Sequence, residues 1–241
     1  MKDRQTLCRG ATALVRAFAR VQYRPVPTLR LALLLSAVLA YAAPAAAQDP
    51  PARIGPFVLD LHGTMPRFPG DDVQLAASRG LLVQELPGRG LGLQGGAHVY
   101  LLHWKAVTVG VGGELALARA HRSRPELASG VFGRAVTERL THAAPQLSLN
   151  FGDGDGWSYL SGGIGLSTWS VVPDGDAAQA PDVERLQTIN YGGGARWFIK
   201  RHLAFSFDVR FYAIEPTTAI LNRPTGPRTT LLSMGAGLSI K

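Results

Sequence analysis

Residues 202–212, HLAFSFDVRFY, set Leu203, Phe205, Phe207, Val209 and Phe211 against Ala204, Ser206, Asp208, Arg210 and Tyr212. A period of two is the signature of a strand, because successive side chains on a pleated backbone point to opposite faces. The same alternation recurs over about Ile54 to Thr64, Gly90 to His103, Lys105 to Ala118, Leu140 to Phe151, Gln187 to Phe198 and Thr230 to Ile240. An eighth stretch, Trp157 to Trp169, is less regular: Leu160, Ile164 and Leu166 oppose Ser161, Gly163, Gly165 and Ser167, but Trp157 and Tyr159 fall on the wrong side, which predicts a bulge or an interfacial start. No segment carries a sustained helical stripe. The fold class this predicts is all-β, with eight strands each bearing one bulky apolar face and one small or polar face.

The connections alternate in length. A connection of about 25 residues precedes Gly90, a tight turn lies at Trp104, about 20 residues follow Arg119, and GDGDG turns the chain at 152–156. VVPDGDAAQAPDVER, the short turn IKRH and AIEPTTAILNRPTGPR complete the series. In an up-and-down meander such alternation places all long connections at one end and all short ones at the other, the asymmetry of transmembrane barrels.

The face that meets water follows from side-chain size. A soluble, lipocalin-like barrel would turn Leu, Val and Phe inward, yet eight strands leave an interior barely wide enough for side chains. It would also need a charged skin, and beyond residue 47 the only lysines are Lys105, Lys200 and Lys241. The expectation is therefore that bulky residues face lipid and small or polar ones the lumen.

The first 47 residues read as a signal peptide: a long basic region with Lys2, Arg4, Arg9, Arg16, Arg20, Arg24 and Arg30 against Asp3, an apolar run from Leu31 to Ala40, and Ala45-Ala46-Ala47 before Gln48. Residues 48–53 are then a short leader and 54–241 the barrel. The formal net charge of +8 falls to +2 once the seven basic residues and one acidic residue of 1–47 are set aside, which argues against a nucleic-acid partner. The only cysteine, Cys8, lies in the signal, so neither a disulfide nor a thiol site is expected. No cofactor or metal site is expected either.

Two sets of residues stand out. Trp104, Trp157, Trp169 and Trp197 all lie at predicted strand ends, where an interfacial aromatic girdle would place them. Asp60, His62, Glu114, Arg196, Asp208 and Arg210 fall on inward positions and carry both signs, so a low-dielectric lumen requires them to pair. Glu114 and Arg210 count to similar heights. The last strand offers only Ser233, Gly235, Gly237 and Ser239 inward, leaving room for Arg210 to reach Asp60 or Glu114. The expected result is a salt-bridged plug rather than a conducting gate.

Other motifs carry less. Gly90-Leu91-Gly92-Leu93-Gln94-Gly95 matches GxGxxG, but a dinucleotide site needs a helix after it, and here a strand follows. Asp153-Gly154-Asp155-Gly156 opens like a calcium loop without its closing acid, and reads as a turn. His121 and Ser123 with Glu126 nearby carry the alternative of a lipid-modifying hydrolase, although a mobile loop is poor preorganisation for such a set.

With its signal peptide, eight strands, alternating connections and a final strand reaching the C-terminus, the chain resembles the small eight-stranded outer-membrane β-barrel proteins of the OmpA/OmpX type over residues 54–241. The resemblance implies an outer-membrane location in a diderm bacterium, contact with membrane lipid, dependence on periplasmic chaperones and the barrel assembly machinery, a monomeric state, and a structural or surface-interaction role without catalysis. It departs from that pattern at its last residue, where Lys241 stands in place of a terminal aromatic.

Overall fold

The computed structural model describes residues 54–220 and 222–241. The expected signal peptide at 1–47 and the expected leader at 48–53 lie outside the described residues.

Eight strands close into an antiparallel barrel: β1 (Phe57–Arg67), β2 (Gly90–Trp104), β3 (Val107–Arg122), β6 (Val136–Asp153), β7 (Gly156–Pro173), β8 (Leu186–Lys200), β9 (Leu203–Ile214) and β10 (Thr229–Ile240). Two short strands, β4 (Glu126–Ala128) and β5 (Val131–Phe132), form a separate hairpin within the second long connection. Each barrel strand pairs with its sequence neighbour, and β10 closes on β1 through pairs such as Asp60 with Ser239 and Gly63 with Ala236. Closure leaves the barrel sheet no free edge.

The period of two is kept around the wall. In β1 the inward Val58, Asp60, His62 and Thr64 are buried, while Phe57, Leu59, Leu61 and Met65 are exposed. Leu91, Leu93, Leu115, Leu117, Leu147, Leu160, Ile164, Phe205, Phe207 and Leu238 continue the exposed apolar surface round the other strands. Along β2 this face runs ten residue steps, from Leu91 to Leu101. At ~3.4 Å per residue and a tilt of ~40°, that is roughly 26 Å of height. The interior is thus the polar side, the reverse of a lipocalin.

Strand β7 corrects one expectation. Its register against β6 is unbroken, with Leu147 opposite Gly162 and Ala143 opposite Leu166, so there is no bulge. Trp157 and Tyr159 keep the parity of Ser161 and point inward. They fit because the neighbouring wall is bare: a Cβ on Gly194 would lie 2.7 Å from the Tyr159 hydroxyl.

Both ends of the lumen are filled. At the end carrying the short turns, Ile54, Val58, Tyr100 and Trp157 form an apolar cluster with Phe198. Trp157 stacks on Phe198 at 4.9 Å and meets Tyr100 edge-on at 6.0 Å, and the Lys241 ammonium sits 3.7 Å above the Phe198 ring.

The opposite end is closed by the long connections. The first carries a helix, α1 (Val73–Arg79), and a 3-10 turn at Val83–Glu85. Asp72 caps α1 by accepting from the Leu75 N–H at 2.9 Å, and Gly80, left-handed at φ 62°, ends it. Phe68, Leu75, Leu81 and Leu86 of this connection pack onto Leu140, Trp169, Val171, Ile214 and Leu231 of the barrel mouth. None of the described helices is long and apolar enough to cross a membrane, a statement that leaves the strands untouched.

Candidate functional site

Between the two apolar plugs lies a polar layer built from inward positions of all eight barrel strands. Its centre is Glu114 on β3, whose carboxylate accepts hydrogen bonds from four side chains and forms an ion pair with a fifth. The Arg210 guanidinium on β9 approaches Oε2 at 3.0 Å, joined there by the Gln94 and Gln146 amides at 3.0 and 2.7 Å. Tyr212 and Asn190 donate to Oε1 at 2.8 and 3.3 Å. β3 and β9 stand on opposite sides of the barrel, so these bonds cross its axis.

Arg210 also holds Asp208 on its own strand, at 3.1 Å through Nε and 2.9 Å through Nη2. Tyr159 donates to the other side of this pair, reaching Asp208 Oδ2 at 2.7 Å. A second centre lies closer to the short-turn end. Arg196 on β8 grips Asp60 on β1 with a two-pronged bond, Nε to Oδ1 at 2.8 Å and Nη2 to Oδ2 at 2.6 Å, and Ser239 adds a third donor at 2.5 Å. The Tyr159 ring lies 3.9 Å from the centre of the Arg196 guanidinium. Parallel N–H bonds of this kind are the strong geometry for an arginine and a carboxylate.

All six expected lumenal residues are inside and buried, but the pairing is more specific than their heights suggested. Arg210 reaches Glu114 and not Asp60, which Arg196 takes instead. His62 makes no ion pair; its Nε2 meets the Ser206 hydroxyl at 2.8 Å, passing over the small inward face of β10 at Gly235 and Gly237. Gln94, Gln146, Asn190, Tyr159 and Tyr212 belong to the network although the sequence reading did not single them out. Their signal was parity alone, since each occupies an inward position of its strand.

The girdle divides. Trp104 and Trp197 are 67% and 54% exposed on the outer face, whereas Trp157 and Trp169 are 3% and 1% exposed inside the barrel. Two of the four expected girdle residues are therefore core residues. For Trp169 the reason is that β6 and β7 run on past the apolar belt, so their far ends lie over the plugged mouth and not at a lipid boundary; Trp157, at the short-turn end, has the inward parity of Ser161 and joins the cluster of Tyr100 and Phe198. Trp169 donates its indole N–H to Glu138 at 2.7 Å within that mouth.

The arrangement neutralises charge. The lumenal carboxylates are occupied by donors, and bulky plugs stand between them and both ends. Near the end of β3, His121 meets Asp174 at 2.9 Å, and no bond ties it to Ser123 among the described residues. The Asp153 carboxylate accepts from the Asp155 N–H at 3.0 Å, closing an Asx turn. The GxGxxG segment is strand throughout. Among the described residues no three His, Cys, Asp or Glu side chains gather into a metal-holding group.

The long connections are stitched together by ions. Arg79 of α1 pairs with Asp182 at 3.3 Å in α2 (Ala180–Val183), and Arg223 of the last connection donates to the Arg79 carbonyl at 2.9 Å. Glu85 accepts from the Leu82 and Arg134 backbone N–H groups at 2.8 and 2.6 Å. Burial pushes the Glu85 carboxyl up, but these N–H groups and the Arg134 guanidinium outweigh it and hold it below its ordinary value. A carboxylate so depressed stabilises the lid at pH values above its ordinary range and loses that contribution as the pH falls below that range and on through its lowered folded-state value. Limited proteolysis is therefore expected to nick the first two long connections of Glu85→Gln faster than those of the wild type at pH 7. The difference should vanish in acid; equal rates at pH 7 would mean that Glu85 does not hold the lid.

No family model matches the sequence, and comparison with curated proteins finds no match. Solved structures similar to this chain include Neisserial surface protein A, 12% identical with a TM-score of 0.49, covering 78% of this chain and 97% of its own. Outer membrane protein OprG from Pseudomonas aeruginosa is 11% identical with a TM-score of 0.47, covering 80% and 98%. Ail, the attachment invasion locus protein of Yersinia pestis, is 11% identical with a TM-score of 0.42, covering 76% and 96%.

Proposed function

We propose that this chain is an integral outer-membrane barrel protein without catalysis, a closed scaffold that carries its outer connections as a structural or interaction surface. The observation that carries the reading is the continuous belt of exposed Leu, Ile, Val and Phe around a closed barrel whose polar groups bond to one another inside. Monomeric soluble proteins rarely expose a contiguous apolar patch above a few hundred Å². A belt of roughly 26 Å matches the outward apolar band of transmembrane barrels, and a closed sheet is one of only two backbones that satisfy themselves in hydrocarbon.

The short turns then lie on the periplasmic side and the ion-stitched connections outside. The two plugs and the axial bonds between them oppose conduction, and His121 held by Asp174 opposes the hydrolase alternative.

The test is to fold the protein into lipid vesicles and measure its unfolding free energy with Phe207→Arg beside the wild type. Phe207 lies among the outward residues of β9, between Phe205 and Val209. A lipid-facing cation near mid-belt is expected to cost about 2–4 kcal/mol, and the wild type to migrate anomalously on a denaturing gel unless boiled. A protein that stays dissolved without detergent, and tolerates the arginine, would overturn the reading. Planar bilayers should show no stepwise conductance.

A further inference from the structure

Where β10, β1, β2 and β3 leave the apolar belt on the long-connection side, the outer wall holds a groove of about 750 Å³. Its floor is apolar, made by Met65, Leu91, Leu232 and Met234, and its rim carries Arg67, Arg89 and Arg119. The strand register makes this rim unusual. Arg67 lies directly across from Arg89, and Arg119 directly across from Arg139, all four exposed on the outer face. Like charges directly opposed on neighbouring strands destabilise a sheet.

Among the described residues none of the four forms an ion pair. This contrasts with the buried Arg79, Arg196 and Arg210 and with Arg134 of the lid, which all have carboxylate partners. Asp174, whose carboxyl feels Arg119, is already held by His121 at 2.9 Å and by the Thr137 hydroxyl at 2.8 Å. The rows also place charge and grease in a defined order. Met65 is paired with Met234 and Leu91 with Arg119, and one row further out Arg67 is paired with Leu232. Guanidiniums therefore stand at the height where the belt gives way to headgroups, directly above an apolar hollow.

We propose that this groove binds an acyl lipid of the outer leaflet that carries a phosphate monoester, its chains on the methionine and leucine floor and its phosphate across the opposed arginines. An arginine fork matches phosphate oxygens with paired N–H bonds, and a dianion between two guanidiniums turns a repulsive cross-strand pair into an attractive one. The volume lies within the range that holds a small ligand or a section of a lipid. Neither part of the groove explains the other alone: a free anion needs no apolar floor, and a lipid without net negative charge gains nothing from three guanidiniums. The inference rests on the membrane-embedded reading above.

The experiment uses protein folded in detergent and titrated with mixed micelles of dioleoyl phosphatidic acid or of dioleoyl phosphatidylcholine, with bound lipid counted by native mass spectrometry. Folding is checked in each sample by gel migration before and after boiling. The wild type should retain phosphatidic acid at least tenfold more readily than phosphatidylcholine. Arg67→Gln/Arg89→Gln/Arg119→Gln should lose that preference while unfolding in urea at the same concentration as the wild type or a higher one, because repulsion has been removed. Met65→Ser/Met234→Ser should lower retention of phosphatidic acid. Inorganic phosphate alone should compete only weakly. Equal retention of the two lipids by wild type, or an unchanged preference in the arginine variant, would overturn the proposal. Full competition by inorganic phosphate would also overturn it and assign the arginines to free anions. Failure of the wild type to show a boiling-dependent band would count against the membrane reading itself, separately from the lipid.

Discussion

Glu114→Ala is expected to cost the barrel about 3–5 kcal/mol of unfolding free energy, measured by urea titration of the protein in lipid vesicles with tryptophan fluorescence as the signal. The variant deletes the acceptor shared by Arg210, Tyr212, Asn190, Gln94 and Gln146, and nothing in the packed lumen replaces it. Each buried donor left without a partner costs about 1–3 kcal/mol, so several neighbours would have to rearrange for the loss to be small. Glu114→Gln should lie between alanine and wild type, since it keeps one carbonyl acceptor but gives up the charge facing Arg210. An alanine variant within about 0.5 kcal/mol of wild type would show that the network is ornamental to stability.

Asp60→Ala is expected to have an effect of similar size, for a different reason. Arg196 is 2% exposed and packs against the Tyr159 ring, so it cannot swing to water when its carboxylate is removed. An uncompensated buried charge costs about 3–5 kcal/mol, whereas replacing both partners by apolar groups of similar volume is often neutral. Asp60→Leu combined with Arg196→Met should therefore recover most of what Asp60→Ala loses. If the double variant is as unstable as the single one, the two residues do not act as a pair and the loss must arise from Ser239 or from packing. A cycle built from both single variants and the double isolates the coupling.

The wall of the barrel was legible in the sequence because one physical rule, the two-residue pleat, repeats with hardly an exception. Bulky residues such as Phe205 and Leu61 could be assigned to the outer face from size alone. The lumenal ions were legible to the same depth: parity placed Asp60, Glu114, Arg196, Asp208 and Arg210 inside. What parity does not contain is the stagger between strands, which decides which heights meet across the axis. Arg196 therefore found Asp60 without any local sign of it, and Arg210 found Glu114. Neutral donors such as Gln94 and Tyr212 gave no signal beyond their position.

The misplaced tryptophans have a related cause. Trp157 and Trp169 share parity with Ser161 and Ser167, so the pleat already pointed them inward, but their nearness to strand ends suggested a lipid boundary. The lid was hidden because its parts are short. Seven residues of α1 make two turns, too few for a periodic stripe, although Asp72 and Gly80 mark its ends in the sequence. Phe68, Leu75, Leu81 and Leu86 belong to no repeat at all; only the open mouth they cover gives them a common purpose.

Three strands stand between those of Glu114 and Arg210 whichever way round the wall is followed. An open sheet, however many strands it has zipped, holds them too far apart to touch, and only curling to a full circle brings them together. That attraction is thus withheld until β10 meets β1, and a half-assembled chain leaves Glu114 without Arg210, which holds only Asp208 of its own strand. Such a molecule should have no comfortable halfway house, and its loss of structure should be a single event rather than a peeling of strands.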